Sequence, residues 1–509
     1  MITAAAVLAA SLASAPIDHA YRSALDLLYD GQPEQAEKQA LAVAASAPDD
    51  PLSPYPLALV LCWRAEQQAE GSATERVFLA QVERLLRKAE DHLRKDPANA
   101  RALLARGAGF GVRSRYHMIR YHKREAARDA VKMREDMLAV RRLDPSCKDA
   151  LFGLGLYDYF TDILPRYLKL LRLFAGIPGG DRGRGFAAIE ATAEAGELHA
   201  TEARVQLFEI YSYWEPHPDR ALEQIQKLRQ RYPGWPLWGL KLTEQLRDRM
   251  GLYGEAARVA RDLVETGRAG HPNYVGVSAA MAQLALGEAL FLDLRLEEAR
   301  RELLLVPERL PDAPRVAARS RLLAGRCLEL SGDREAARVL YRQAAGLGDR
   351  EQARRAEALL RSPTPAGEVA GTQLMARARR LEESGQSEDA LPLWRQVREA
   401  WPQSREAALH LAEHELLHGQ PERARGPAQS VAAEEKVEPP WLEPWSHLLL
   451  GHLLDLEGSR EAAVGQYKKV LERRCGQGRL ATRAEAALRR PFSRGGTRLP
   501  SSPSSVHPK

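Results

Sequence analysis

The 509-residue sequence has few cysteines, few aromatic residues and no strong excess of charge of either sign. Widely spaced cysteines without a CxxC pair exclude a zinc knuckle and a disulfide framework. Aromatic residues make up only 6% of the chain. The chain has 74 basic and 68 acidic residues, a net charge of +6. This charge is small for a chain of this length and gives no evidence for nucleic-acid binding. The four cysteines are Cys62, Cys147, Cys327 and Cys475.

Long apolar runs are also missing, so we do not expect an integral membrane helix. The first residues are nevertheless uncharged and Ala-rich, and Ala13-Ser14-Ala15 has the small-x-small pattern of a signal-peptidase site. We therefore expect a signal peptide over residues 1–15 and export to the periplasm or cell envelope. No Lys or Arg precedes the apolar stretch, and Pro16 would follow the cut, so an Ala-rich first helix of a cytoplasmic protein is the alternative.

The residues that dominate the chain are Ala, Leu, Arg and Glu, which favour helices, and they follow a repeated pattern. An alanine recurs, usually with a glycine five residues earlier and a small residue twelve residues earlier. The glycine suits a left-handed turn between two helices, and the small residues let those helices approach closely. The alanines are Ala36, Ala256, Ala299, Ala337, Ala390, Ala424 and Ala463; the glycines are Gly31, Gly251, Gly332, Gly385, Gly419 and Gly458, with Leu294 as the exception.

This pattern resembles the tetratricopeptide repeat family over most of residues 17–477. The resemblance implies an all-α fold, a right-handed α-solenoid of helix-turn-helix repeats with a non-standard helical insertion in the middle. The clearest repeats cover 17–50, 237–270, 280–313, 318–351, 371–404, 405–438 and 444–477. Degenerate repeats are expected near 114–147, 148–162 and 202–235.

The predicted organisation is a larger N-terminal array followed by a C-terminal block. The array covers 17–361, with an irregular helical segment at 148–200 and an extra helix at 349–361. Pro-containing residues 362–367 are interpreted as a linker, 368–490 as the block with a capping helix, and 491–509 as a disordered tail. The alternative is an inserted loop in one continuous spiral.

The middle segment LGLYDYF…LPRYLKLLRLF…PGGDRGRG resembles one in bacterial tetratricopeptide proteins. It is also similar to a segment of a eukaryotic family tied to mitochondrial outer membranes and inclusion-body clearance. Residues 164–174 form a short basic amphipathic pattern, so a peripheral membrane adaptor is an alternative function. The following glycine-rich stretch, 176–185, lacks a P-loop lysine and is interpreted as a turn capped by Asp181.

One short sequence motif suggests an enzyme. His414, Glu415 and His418 spell HExxH, which on a helix would suit a zinc peptidase. These residues end the first helix of the best-spaced repeat and have no evident third ligand, so we expect neither a metal site nor an enzyme, and a zinc peptidase is the second alternative function. The basic stretch 113–142 is interrupted by acidic residues and is interpreted as a solvated helix face.

The expected function is a non-catalytic scaffold, without a cofactor, that binds a peptide or helix of a partner protein in its concave groove. The first helix of each repeat should line that groove, and its arginines Arg319, Arg326 and Arg379 would suit an acidic group. The sequence does not identify the partner or the oligomeric state. The candidate partner-binding residues are Trp238, Lys241, Asp248, Glu288, Phe291, Arg319, Arg326, Arg379, Trp445 and His452.

Overall fold

A computed structural model describes residues 18–494, except 165–177, 216, 309, 435, 436 and 474–477. All regular secondary structure in these residues is helical, which confirms the predicted all-α fold of helix-turn-helix repeats. None of the described helices has the length and apolar character needed to cross a membrane. The expected signal peptide lies outside the described residues, as does the expected tail from residue 495 on.

The first part of the chain is a series of helix pairs. Most consecutive helices pack against one another as antiparallel neighbours. The helices are α1 (residues 18–29), α2 (Pro33–Ser46), α3 (Tyr55–Glu66), α4 (Ala73–Lys95), α5 (Ala100–Ile119), α6 (Lys123–Leu143), α7 (Asp149–Asp162), α8 (Arg182–Ala195) and α9 (Ala200–Glu209).

The remainder continues in the same way, with two departures from α-helical geometry. A π-helical turn extends α9 over Ile210–Trp214, and a second extends α11 over Gln245–Arg249. The helices are α10 (Pro218–Arg231), α11 (Pro236–Glu244), α12 (Tyr253–Arg268), α13 (Gly276–Leu292), α14 (Leu296–Leu304), α15 (Pro314–Leu330), α16 (Arg334–Gly346), α17 (Arg350–Arg361), α18 (Ala366–Glu383), α19 (Ser387–Ala400), α20 (Arg405–His418), α21 (Glu422–Ala432), α22 (Leu442–Leu456), α23 (Arg460–Arg473) and α24 (Gly478–Arg489).

These helices form two compact units. The first unit contains residues up to Phe208 together with Gln230–Trp235, and the second contains Glu209–Arg229 and the chain from Pro236 on. The division between these units does not fall near residue 365, where the sequence predicts a linker. The loop there is held to α15, because the Thr364 N–H donates to Glu329 (3.1 Å) and Arg326 donates to the Thr364 hydroxyl (2.6 Å).

The left-handed conformation predicted for the turn residues is confirmed at most repeats. Gly31, Gly251, Gly332, Gly385 and Gly458 all have positive φ, and Leu294 adopts the same left-handed conformation with φ 58°. The predicted close approach is also present. A Cβ on Gly325 would lie 2.6 Å from the Tyr341 ring, which fills the space between the helices.

Two turns differ from the prediction. Gly419 has φ −110° rather than a positive φ, and the Gln420 N–H that follows it donates to the carboxylate of Glu415. Tyr121, in contrast, has φ 62° at a turn where no glycine marks the repeat. Its repeat register is nevertheless regular, since Ser114 donates to the Ala126 carbonyl (2.8 Å) twelve residues further along the chain.

The first unit also contains a helix pair that the pattern did not predict. Helices α3 and α4 pack together, and Phe78 and Val82 are among the buried residues of α4. The degenerate repeat expected near 114–147 begins earlier, because its first helix starts at Ala100.

The irregular middle segment keeps a helix pair. Helix α7 packs on α8, where Gly155 and Gly185 permit close backbone contact. Asp181 caps α8, as predicted, by accepting the Arg184 N–H (2.6 Å). The expected amphipathic helix 164–174 lies outside the described residues from 165 on.

Candidate functional site

The candidate partner-binding residues all lie on first helices of the second unit or in the π-helical turn that follows α11. Their side chains differ sharply in exposure. Trp238, Trp445 and His452 are only 2%, 0% and 2% exposed, so they do not line a binding surface. The remaining seven lie at or near the surface, except Glu288, which is 7% exposed.

The buried side chains were misassigned because their repeat positions face a neighbouring helix. Trp445 packs edge-on against His410, with ring centroids 4.7 Å apart. His452 stacks on Phe492, with centroids 4.0 Å and planes 12° apart. Burial, reinforced by the charge of Arg483, holds the pKa of His452 well below its usual range.

Charged side chains connect three successive first helices. The carboxylate of Glu288, on α13, accepts from Arg247 after α11 and from Arg319 on α15. Arg247 also donates to both oxygens of Asp248, at 2.6 and 2.7 Å. A buried carboxylate therefore has two cationic partners, as such a group requires.

The three arginines expected to bind an acidic ligand already have partners within the chain. Arg319 pairs with Glu288, and Arg379 donates to both oxygens of Glu406 (2.6 and 2.5 Å) and to the Leu292 carbonyl (3.0 Å). Arg326 lies 3.5 Å from the carboxylate of Glu329 and 3.8 Å from that of Glu368. The prediction of a common basic site is wrong, because neighbouring helices supply an acid for each cation.

The other candidates are partly accessible. Lys241 donates to Glu244 (3.1 Å). Burial tends to lower the pKa of Lys241, but Glu244 and Tyr213 raise it above its usual range. The Asp248 side chain is 44% exposed, and Phe291 is half-buried at the end of α13. We use the name first-helix face for the surface formed by Lys241, Arg247, Asp248, Glu288, Phe291, Arg319, Arg379 and Glu406.

The HExxH residues lie at the C-terminal end of α20. His414 and His418 lie one turn apart on α20, with ring centroids separated by 5.4 Å. Glu415 accepts the N–H of Gln420 (3.0 Å) and so closes the end of the helix. Within the described ranges, no three His, Cys, Asp or Glu side chains are grouped as a metal site requires.

The first unit contains a polar network that sequence reasoning missed. Glu202, on α9, is 3% exposed and accepts from Tyr29 (2.8 Å), Trp63 (2.8 Å) and Arg115 (2.7 Å). Arg115 also donates to both oxygens of Glu66 (2.7 and 3.0 Å) and lies 4.8 Å from the Trp63 ring centroid. These bonds connect α1, α3, α5 and α9.

A second hydrogen-bonded chain lies within the same unit. Asp149 accepts the His199 backbone N–H (2.8 Å) and lies 3.2 Å from its Nδ1, and the Tyr55 hydroxyl lies 2.8 Å from Nε2. An Asp–His–Tyr order can move a proton in an open active site. Here all three side chains are at least nine-tenths buried, so the arrangement fixes helices rather than meeting a substrate.

The chain's similarity to known proteins is distant. No protein-family model and no curated protein matches it. Among solved structures it is similar to yeast Tom70, with 13% identity and a TM-score of 0.24 over 93% of this chain and 96% of that one. It is similar at 13% identity and a TM-score of 0.23 to a chain of the APC/C hetero-tetramer Cut9–Hcn1, over 91% and 88%. TM-scores this low do not identify a function for the chain.

Proposed function

We propose that this protein is a non-catalytic scaffold that binds a peptide or helix of a partner protein along the first-helix face. The observation that carries the proposal is the pairing of Glu288 with both Arg247 and Arg319. This pairing holds charged groups from three successive first helices in one fixed arrangement. Helical repeat arrays bind partners on extended surfaces built in this way.

The fixed arrangement favours binding because little side-chain freedom is lost when a partner arrives. It also defines what the partner must offer. Acidic and basic groups alternate along the first-helix face, so a suitable partner carries both signs of charge beside an apolar residue that reaches Phe291. A partner with only an acidic terminus would compete with Glu288 and Glu406 for their arginines.

Site-specific photo-crosslinking in the native cell tests this proposal. A photoreactive amino acid is placed at Asp248 or Phe291 on the first-helix face, and at Val339 as the control. Val339 is 51% exposed on α16, the second helix of its pair. We expect the same partner to be crosslinked from Asp248 and Phe291 and not from Val339.

The partner identified in this way is then purified for affinity measurements. Asp248→Ser should weaken its binding by roughly tenfold, because one charge-assisted contact is lost. Asp248 is preferred to the arginines because reversing Arg319 or Arg379 would break pairs that hold the repeats together. Equal crosslinking from Val339, or no change in affinity for Asp248→Ser, would contradict the proposal.

A further inference from the structure

The turn between α5 and α6 places a tyrosine where other repeats place glycine. Tyr121 has φ 62°, a left-handed conformation that is costly for a residue with a side chain. Its side chain is 81% exposed, so no packing contact compensates for this conformation. Leu294, which has φ 58° at the corresponding turn of another repeat, is half-buried against a hydrophobic cluster.

Two further apolar side chains are exposed on the same turn. Met118 is 55% exposed and Ile119 is 40% exposed. The turn is held in place by Arg120, which donates to the carbonyls of Ala65 and Gln68, both at 2.7 Å. The apolar side chains are therefore displayed by a turn that is bonded to the end of α3.

Cationic side chains surround this apolar group. Lys123, Arg124 and Arg128 are exposed at the start of α6. Between residues 118 and 128 there are four Lys or Arg residues and one acidic residue, Glu125, a net charge of +3. Two acids approach the turn from the neighbouring helix pair: Glu70 lies 3.2 Å from His122, and Glu75 interacts electrostatically with Arg120 and His122.

We propose that this turn tip, formed by Met118, Ile119, Tyr121, Lys123 and Arg124, docks on the surface of an anionic membrane. A convex turn suits a flat interface, where lipid phosphates attract lysine and arginine and the headgroup boundary accepts tyrosine, methionine and isoleucine. A peptide ligand would instead need a groove, and side chains as exposed as Tyr121 do not form one. The inference is independent of the first-helix face.

Vesicle flotation with the purified full chain tests the proposal. The probes are phosphatidylcholine vesicles with and without phosphatidylglycerol. We expect the protein to float with the anionic vesicles and to be released by high salt, because exposed charges are screened. Lys123→Gln combined with Arg124→Gln should reduce the bound fraction by roughly tenfold or more, since each cation contributes separately.

A second variant separates membrane contact from folding. Tyr121→Gly removes the side chain at a position where glycine has no conformational cost, so thermal stability should be unchanged or higher while vesicle binding falls severalfold. Val339→Ser is the matched control and should float as the wild type does. The proposal is overturned if the wild type ignores anionic vesicles or if Tyr121→Gly floats normally. It is also overturned if light scattering shows that the turn tip instead joins two copies of the chain.

Discussion

His410 lies face to face with Trp394, with ring centroids 3.9 Å apart and planes 12° apart. Both rings contact one acid. The indole N–H of Trp394 donates to Glu382 (2.9 Å), and Nδ1 of His410 lies 3.0 Å from the same oxygen. Glu382 lies near the end of the first helix of one repeat and His410 belongs to the next repeat, so this contact joins α18, α19 and α20.

The charge of His410 makes the stability of the second unit depend on pH. Burial tends to lower the pKa of His410, but Glu382, with Glu406 and Glu413, raises it above the ordinary 6.5. A raised folded-state pKa stabilises the folded state fully below 6.5, and this contribution is lost as the pH rises through the folded-state value. We expect the melting temperature of the wild type to fall as the pH is raised above 6.5.

Glu382→Gln provides the control for this prediction. The amide keeps the size of the side chain and can still accept from Trp394, but it removes the charge. Burial then dominates, so the decline in melting temperature above 6.5 should disappear. An unchanged decline would show that another group is responsible.

His452 should act in the opposite direction. Its pKa is held below the usual range by burial and by Arg483, and Phe492 and Tyr467 pack against its ring. Stability is therefore present above the unfolded-state pKa and is lost as the pH falls below it. His452→Phe should keep the stack on Phe492 and reduce the acid-side loss in thermal unfolding. A steeper acid-side loss in the variant would contradict this assignment.

The repeat pattern could be predicted from sequence because its causes are local. The turn glycine, the small residue and the alanine all act within one helix pair, so their spacing alone located most repeats. The Gly451–Tyr467 contact, sixteen residues apart in one repeat, is of this kind.

The polar network of the first unit could not be predicted in this way. Glu202 is separated by 173 residues from Tyr29, 139 from Trp63 and 87 from Arg115, and no spacing rule connects them. The repeat pattern also did not predict which of the candidate side chains are buried. Trp445 and Arg319 both hold the second position of their repeats, yet the tryptophan is fully buried and the arginine side chain is 33% exposed. The expected signal peptide stays a prediction.

Glu202 should contribute more to the first unit than any one of its hydrogen bonds. Glu202→Leu leaves the Arg115 guanidinium without one of its two carboxylates in a buried site, and the expected loss is about 3–5 kcal/mol. Tyr29→Phe removes one hydrogen bond and should cost about 1 kcal/mol. Urea unfolding of the full chain, followed at the tryptophans, measures both. Equal losses would mean that the charge pair adds nothing beyond ordinary hydrogen bonding.

The same chemical change should have opposite effects at two glycines of the last repeat. A Cβ at Gly451, within α22, would collide with the Tyr467 ring. Gly465, within α23, has no side-chain or backbone neighbour within 4 Å of an added Cβ.

Gly451→Ala gains helix propensity but overpacks the contact, so we expect a net loss of about 1–2 kcal/mol. Gly465→Ala gains helix propensity alone and should stabilise by about 0.5–1 kcal/mol. Chemical denaturation of the two variants side by side measures the difference. If Gly451→Ala were also stabilising, the two helices would not be held as close together at Gly451 as the Tyr467 ring indicates.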